Sequence, residues 1–529
     1  VVRHPLDAGL AWLRYVSDLA AVGSVTFARA LGADCEGPFS PAPKDRRFAD
    51  PTWHDNPAYY GLFQAYLASS RFAHDLVGVA GLDERETRKA EFALQVVVDA
   101  LAPGNFLLGN PAALKKAFDT GGASLSRGLR NFLEDVRSNG GFPRQVDLTS
   151  FKVGDNLAAT PGKVVFRNDL MELIQYAPQT ETVFETPLLL SPPWINKYYI
   201  MDLAPGRSFA EWAVTHGHTV FAISYHNPDS TQRDVELDDY LLRGPRMALD
   251  VVRDITGAPQ ANVVGLCLGG TLTAMLLAYL ADQRDDRVRS ATLLNTLVDF
   301  GEPGPLGVFV DPESVARLER RMASRGYLDA AEMAHTFDLL RANDLIWNYV
   351  ASNWLMGEQP PAFDILAWNC DSTRLPAAMH SFYLRSCYLK NELAQGELEL
   401  AGTRLQLEDV AADTYVLAAR EDHISPWRTS YRTTQLLRGS DVRFVLSSSG
   451  HIAGIVNPPN PKSRHWTSDE LPADPDDWLT DASEHEGSWW NDWAAWIEAR
   501  AGGRQEPPPL GSQSYPALAD APGSYVHTR

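Results

Sequence analysis

The stretch NVVGLCLGGTLTA, residues 262 to 274, limits the folds open to this chain more than any other. A short valine-rich run ends at Leu266, a helix-type run follows from Leu268, and Gly265, Gly269 and Gly270 crowd the turn between them. With Cys267 at the apex, Gly265-Leu266-Cys267-Leu268-Gly269 has the pattern of a nucleophile elbow in which cysteine stands where serine is more usual. Such an elbow holds its nucleophile on strained backbone, projecting beyond the sheet, so the positions two before and two after must be small. Gly265 and Gly269 meet that demand. The N–H of Leu268, at the start of the helix, is then placed to receive an oxyanion.

An elbow of this kind needs a parallel sheet around it. From about residue 185 the chain alternates short apolar runs with helical stretches: TPLLLSPP (186–193), HTVFAISY (218–225), ANVVGL (261–266), VRSATLLNT (288–296), DTYVLAA (413–419) and VRFVLSSS (442–449). Between the second and third, Ala248, Val251, Val252 and Ile255 recur at helical spacing, with Pro245 near the start and Gly257 past the end, which predicts a crossover helix. More than a hundred residues separate the fourth and fifth runs, so an insertion is expected at about 301–405, with the role of a lid over the active site. Residues 1–148 lack strand signals and are expected to form a helical N-terminal domain, leaving 149–529 as the catalytic domain. Its end, 502–529, is rich in Pro, Gly and Ser and reads as an extended tail. The fold class is α/β: an α/β-hydrolase fold, a mostly parallel sheet with helices on both faces, carrying a lid insertion and preceded by the helical domain.

Composition excludes several other classes. With 529 residues, 45% apolar and 22% charged, the chain has enough core for two domains. A net charge of -20 opposes nucleic-acid binding, which needs a basic face. No run reaches the roughly 18 uncharged apolar residues of a membrane span. Cys35, Cys267, Cys370 and Cys387 are widely spaced, with no zinc-like cluster, so neither a disulfide framework nor a metal is expected. The opening VVRHPLDAGLAWLRYV has no Met, basic n-region or cleavage site, which sets the expectations of a trimmed N-terminus, no signal peptide and a cytoplasmic protein.

The partners of an elbow cysteine should follow in the order acid, then histidine, each just past the end of a later strand. After DTYVLAA comes REDHISPW, offering Glu421, Asp422 and His423. After VRFVLSSS comes GHIAGIVNPP, offering His451. Asp422 is the expected acid and His451 the expected base, with His423 a secondary candidate. Alone, each is an ordinary loop residue; the order and the three strand mouths are what single them out.

These motifs resemble those of polyhydroxyalkanoate synthases, above all the class I type. The similarity runs from about residue 40 to the end and includes FSPAPKDRRFADPTWHDNP, PPWINKYYIMDLAPGRSF, GLCLGGT, RANDLIWNYVASNWLMG, REDHISPW, SGHIAGIVNPP and HEGSWWNDWAAWI. The resemblance implies polymerisation of 3-hydroxyacyl-CoA, most simply 3-hydroxybutyryl-CoA, into polyester with release of CoA. It implies Cys267 as nucleophile, Asp422 and His451 as its partners, a homodimer at the surface of cytoplasmic granules, and contact with granule-associated proteins. No resident cofactor is implied, since CoA comes with the substrate. Asp202 and Tyr388 fall in family-like segments and are secondary candidates. Ile195, or its neighbour Trp194, is the candidate second oxyanion donor. Some relatives carry cysteine where this chain has Trp194, so that thiol is not required here. The Trp489-Trp490 segment reads as core rather than as a polymer-contact surface. The same elbow and partners also suit a cysteine-dependent esterase or lactonase, or a granule scaffold without activity; the PPWINKYY block and the long insertion favour the synthase.

Overall fold

The computed structural model describes residues 4–42 and 45–529. The chain divides into two compact units, Val1–Leu148 with His335–Phe363, and Thr149–Ala334 with Asp364–Arg529.

The first unit is helical. Its main helices are Pro5–Ala30 (α1), Pro57–Gly78 (α2), Glu84–Ala100 (α3) and Ala123–Ser138 (α4). Asn56 starts α2 by accepting from the N–H groups of Ala58 (2.9 Å) and Tyr59 (3.3 Å), and Asp83 starts α3 by accepting from Glu86 N–H at 2.7 Å. Phe48, Trp53, Tyr60 and Phe63 form a buried aromatic cluster. The expected insertion at 301–405 is divided: residues 335–363, which hold all of RANDLIWNYVASNWLMG, pack with these helices. Local chemistry explains why. Asn131 donates to the carbonyls of Asn353 (3.0 Å) and Glu358 (2.9 Å), Trp354 Nε1 donates to Asp135 at 2.8 Å, and Gln145 donates to Asp338 at 2.9 Å. Gly128 leaves room for the Trp354 carbonyl group, whose carbon a Cβ would approach to 2.8 Å.

In the second unit the strands are Gly162–Arg167 (β1), Met171–Tyr176 (β2), Leu188–Ser191 (β3), Val220–Tyr225 (β4), Ala261–Leu266 (β5), Val288–Leu294 (β6), Asp413–Ala419 (β7), Val442–Ser447 (β8), Arg464–Thr467 (β9), Ser483–Glu486 (β10) and Ala519–Asp520 (β11). Among the described residues they form one sheet in the order β10-β9-β8-β7-β6-β5-β3-β4-β2-β1-β11. The six strands expected from sequence are its parallel centre, β8 to β4. Helices cover both their faces, which is why they read as unbroken apolar runs. The strands that sequence did not reveal, β1, β2, β9, β10 and β11, are antiparallel additions at the two edges. The outermost, SEHE of β10, is fully exposed and charged, which discourages edge pairing.

The crossover helix forms at Met247–Thr256 (α5), stopped by Gly257 in the left-handed region at φ 69°. Leu268–Asp282 (α6) follows β5 and is buried along nearly its whole length. Ser191 pairs opposite Gly265, Leu266 opposite Leu294 and Ala419 opposite Ser447, so the carboxyl ends of five central strands lie close together. That is where ligands bind in open parallel sheets.

The 502–529 stretch packs along the rest of this unit. Its β11 pairs with β1, Arg504–Gln505 pairs with Val183–Phe184, and Gln175 accepts from Gly511 N–H at 2.8 Å. No helix among the described residues is long and apolar enough to cross a membrane.

Trp489–Glu498 (α7) carries the tryptophan pair into the core, as expected. Trp489 Nε1 donates to Gly454 O at 2.7 Å and Trp490 Nε1 to Ile455 O at 3.0 Å, fixing the backbone just after His451. Trp489→Phe keeps most of the packing but removes the shorter of two hydrogen bonds to the Gly454 carbonyl, leaving the one from the Ser447 hydroxyl at 3.2 Å. It should destabilise the protein by about 0.5–1.5 kcal/mol, read as a lower denaturation midpoint with unchanged m-value, and it should increase amide exchange in residues 450–456.

Candidate active site

Cys267 sits between β5 and α6 at φ 51° and ψ -119°, a conformation that non-glycine residues seldom adopt. Neighbouring bonds hold it there: its N–H donates to Leu294 O at 2.9 Å, and its carbonyl accepts from Thr271 N–H at 3.0 Å. The glycines around it are required by space. A Cβ on Gly269 would collide with the Ser191 carbonyl oxygen and lie 2.7 Å from Pro192 C, and one on Gly265 would lie 2.6 Å from the Gly270 Cα. The Leu268 N–H is in the first turn of α6, where backbone donors have no partner within the helix.

The Asp422 and His451 side chains meet. His451 Nδ1 is 2.6 Å from Asp422 Oδ2, and both residues are buried. The other Asp422 oxygen accepts from the N–H groups of Ile424 (2.8 Å) and Ser425 (2.9 Å), so both oxygens of the carboxyl group are held in place. With Nδ1 committed to Asp422, Nε2 is the ring nitrogen left to face a second group. Burial penalises the imidazolium, but the charges and hydrogen bonds of Asp422 and Cys267 outweigh it and push the His451 pKa from 6.5 up to about 10.

The other candidates divide. Tyr388 packs against Tyr383, with ring centroids 5.5 Å apart, and burial, with a smaller contribution from Cys267, raises the pKa of both hydroxyls. Phe300 packs on Tyr388, with ring centroids 5.0 Å apart. Part of the 301–405 insertion, around residues 383–388, is therefore close enough to Cys267 to feel its charge. Asp202 is elsewhere, buried among Thr160 (2.5 Å), Ser208 (2.8 Å) and Tyr176 (3.2 Å), where burial raises its pKa and it fastens the segment after β3 to β2. His423 adjoins Asp422, but the ring bonded to that carboxylate belongs to His451. Ile195 is in the loop after β3, its carbonyl accepting from Thr373 N–H at 2.8 Å. Among the described residues, no group of three His, Cys, Asp or Glu is arranged to hold a metal.

Sequence reasoning overlooked Asn295 and Tyr383. Asn295, just past β6 at φ 44°, donates from Nδ2 to the His451 carbonyl at 2.5 Å and so positions the base through its backbone. An asparagine directly after a strand is a weak sign of left-handed backbone. Tyr383 had no sequence signal beyond its place in an aromatic-rich stretch.

The raised His451 pKa has a measurable consequence. In the native protein the His451 ring should keep the NMR shifts of an imidazolium from pH 6 to 9 and titrate near pH 10. Because the folded value exceeds the unfolded one, its contribution to stability is complete below about pH 6.5 and is lost as pH rises through about 10. In Asp422→Asn the midpoint should fall by more than one pH unit.

Comparison with known proteins agrees with this architecture. Residues 44–213 match the family described as the poly-beta-hydroxybutyrate polymerase (PhaC) N-terminus, and residues 194–458 match the alpha/beta hydrolase fold. The chain is 45% identical to the poly(3-hydroxyalkanoate) polymerase of Methylorubrum extorquens, over 100% of this chain and 88% of the relative. It is 45% identical to poly(3-hydroxyalkanoate) polymerase 2 of Ectopseudomonas oleovorans, over 100% and 92%. Identity to the poly(3-hydroxyalkanoate) polymerase subunit PhaC of Cupriavidus necator is 42%, over 99% and 89%. With relatives of this similarity matched along the whole chain, and an α/β-hydrolase sheet to carry the site, the chain belongs to the poly(3-hydroxyalkanoate) polymerases, a family of polyester-forming acyltransferases.

Proposed function

We propose that this polymerase uses 3-hydroxyacyl-CoA, with 3-hydroxybutyryl-CoA as its preferred monomer, and carries the growing acyl group as a thioester on Cys267. The observation that carries the reading is the Asp422–His451 pair at the mouths of β7 and β8, with its Nδ1 bond at 2.6 Å, together with Cys267 at the mouth of β5, whose charge acts on the His451 ring.

In loading, the Cys267 sulfur attacks the thioester carbonyl while His451 holds the thiol proton. The tetrahedral oxyanion is met by the Leu268 N–H and by the N–H of Ile195. Collapse breaks the bond to CoA, and His451 returns the proton to the departing thiol. In transfer, the hydroxyl of the chain end attacks the acyl-cysteine, His451 takes its proton, and an ester forms as the Cys267 sulfur leaves. Asp422 acts by orienting His451, a role supported by the commitment of both its oxygens.

The chemistry favours sulfur over oxygen. Donor and enzyme intermediate are both thioesters, so loading is nearly balanced and the acyl group stays reactive toward an alcohol. A serine ester would have lost that reactivity. Water competes with the alcohol, and Phe300, Tyr383 and Tyr388 supply an aromatic wall suited to limiting it. No resident cofactor is needed, because CoA arrives with the monomer and leaves as product. On this reading the enzyme works as a homodimer in the cytoplasm at the surface of polymer granules, expectations supported by the family resemblance.

Incubation with 3-hydroxybutyryl-CoA tests it. The expected result is free CoA together with insoluble polymer; free 3-hydroxybutyrate without polymer would mean a hydrolase. Cys267→Ala should abolish CoA release, and Asp422→Asn should lower it roughly 100- to 10,000-fold. Monomers of longer side chain should be used more slowly than the four-carbon one.

A further inference from the structure

We propose that Lys197 and the segment Ser524–Thr528 form a clamp that holds the loop after β3 in register beside the Cys267 elbow, which makes Lys197 a positioning residue for acyl transfer.

The loop begins at the elbow itself. β3 ends at Ser191, opposite Gly265, and the Pro192 backbone is what a side chain at Gly269 would strike. Farther along, the loop is gripped from outside. Thr373 donates through its hydroxyl to the Trp194 carbonyl and through its N–H to Ile195 O, and Trp368 Nε1 donates to Lys197 O at 2.7 Å. In a trans peptide the C=O and N–H point in opposite directions, so turning the Trp194 carbonyl toward Thr373 turns the Ile195 N–H away from it. The orientation of that N–H therefore depends on how the loop is anchored.

The anchor is a lysine of an unusual kind. Lys197 is 3% exposed, whereas lysine is almost never fully buried without partners. Its Nζ donates to Thr528 O at 2.6 Å and to Tyr525 O at 3.2 Å. Burial pulls its pKa down to about 8, against the attraction of Asp371 nearby. The same chain segment is held at its other end by Glu172 of β2, also fully buried, which accepts from the N–H groups of Ser524 and Tyr525 at 2.9 Å each. A short segment thus lies between a buried ammonium and a buried carboxylate. Apolar packing would stabilise it as well or better, because buried charges lose hydration; what charges provide is one definite register. That register is transmitted to residues 194–197 through the backbone of Lys197.

The consequence for catalysis rests on the proposed role of the Ile195 N–H as an oxyanion donor, and the tests separate the two ideas. Lys197→Met, Lys197→Arg and a chain stopping at Gly523 are compared with wild type by single-turnover CoA release, KM, thermal midpoint and amide exchange. In Lys197→Met and in the shortened chain, single-turnover acylation should fall roughly 10- to 100-fold, with KM changed less than about threefold and faster exchange at residues 192–199. Lys197→Arg should recover part of the rate, and Lys197→Met in the shortened chain should add little further loss, since both changes release the same clamp. The shortened chain leaves Lys197 itself intact and carries the test if Lys197→Met does not fold. Unchanged exchange at 192–199, or additive losses, would overturn the clamp. Faster exchange with an undiminished acylation rate would retain the clamp as a support for the loop and overturn its part in acyl transfer. Wild-type protein that releases no CoA would instead overturn the proposed function while leaving the exchange result to judge the clamp.

Discussion

The site depends on how closely the helix after Cys267 approaches the strand before the PPWINKYY loop. Gly269 lies so near the Ser191 carbonyl and Pro192 that no side chain fits between them. That contact brings α6 against the end of β3 and leaves Cys267 at φ 51° on the strand-to-helix turn. Strain of this kind costs on the order of 1–3 kcal/mol and lasts only where the surroundings dictate it. Here they do so through the Leu294 and Thr271 backbone bonds and through a helix buried along nearly its whole length. The fold thus spends stability to aim one sulfur atom.

The second constraint is the order in which the charges are arranged. Asp422 receives two backbone N–H groups on the oxygen that does not meet His451, so its orientation is fixed by the chain itself. His451 is held twice, at its ring by Asp422 and at its carbonyl by Asn295. The tryptophans of α7 fix the backbone three and four residues beyond it. An imidazole restrained at these points has its orientation set by the protein alone.

The parallel strands were legible because burial on both faces demands continuous apolar runs, and the site was legible because an elbow requires small neighbours and fixes the order of its partners. The edge strands were not. β1 and β2 carry charges such as Lys163, Arg167 and Glu172, and β9 and β10 mix Arg, His, Glu and Thr, so pairing there comes from neighbours rather than from a period-2 pattern. Glu172 shows the difficulty well: a carboxylate in the middle of a strand looks solvent-facing, yet it is fully buried because a segment some 350 residues later brings its donors. The Pro- and Gly-rich end likewise read only as an extended tail, since prolines and glycines reveal that a segment is irregular but not what it leans on. Asp202 was singled out for its place in a family-like block, and its function there is to fasten structure. Tyr383 and Asn295 escaped because their importance arises from proximity alone.

The assignment of residues 335–363 to the helical unit gives the chain an order of events. Those residues lie between β6 and β7, so the helical unit is interrupted by most of the first half of the sheet. As the chain leaves the ribosome, α1 to α4 emerge early but lack the partner that takes up the Asn131, Asp135 and Gln145 side chains until nearly two hundred residues more have been made. By then β1 to β6 and the elbow have emerged, while β7 and β8, with the loops bearing Asp422 and His451, have not. Cys267 is therefore synthesised before either Asp422 or His451, and the helical unit completes itself in the interval.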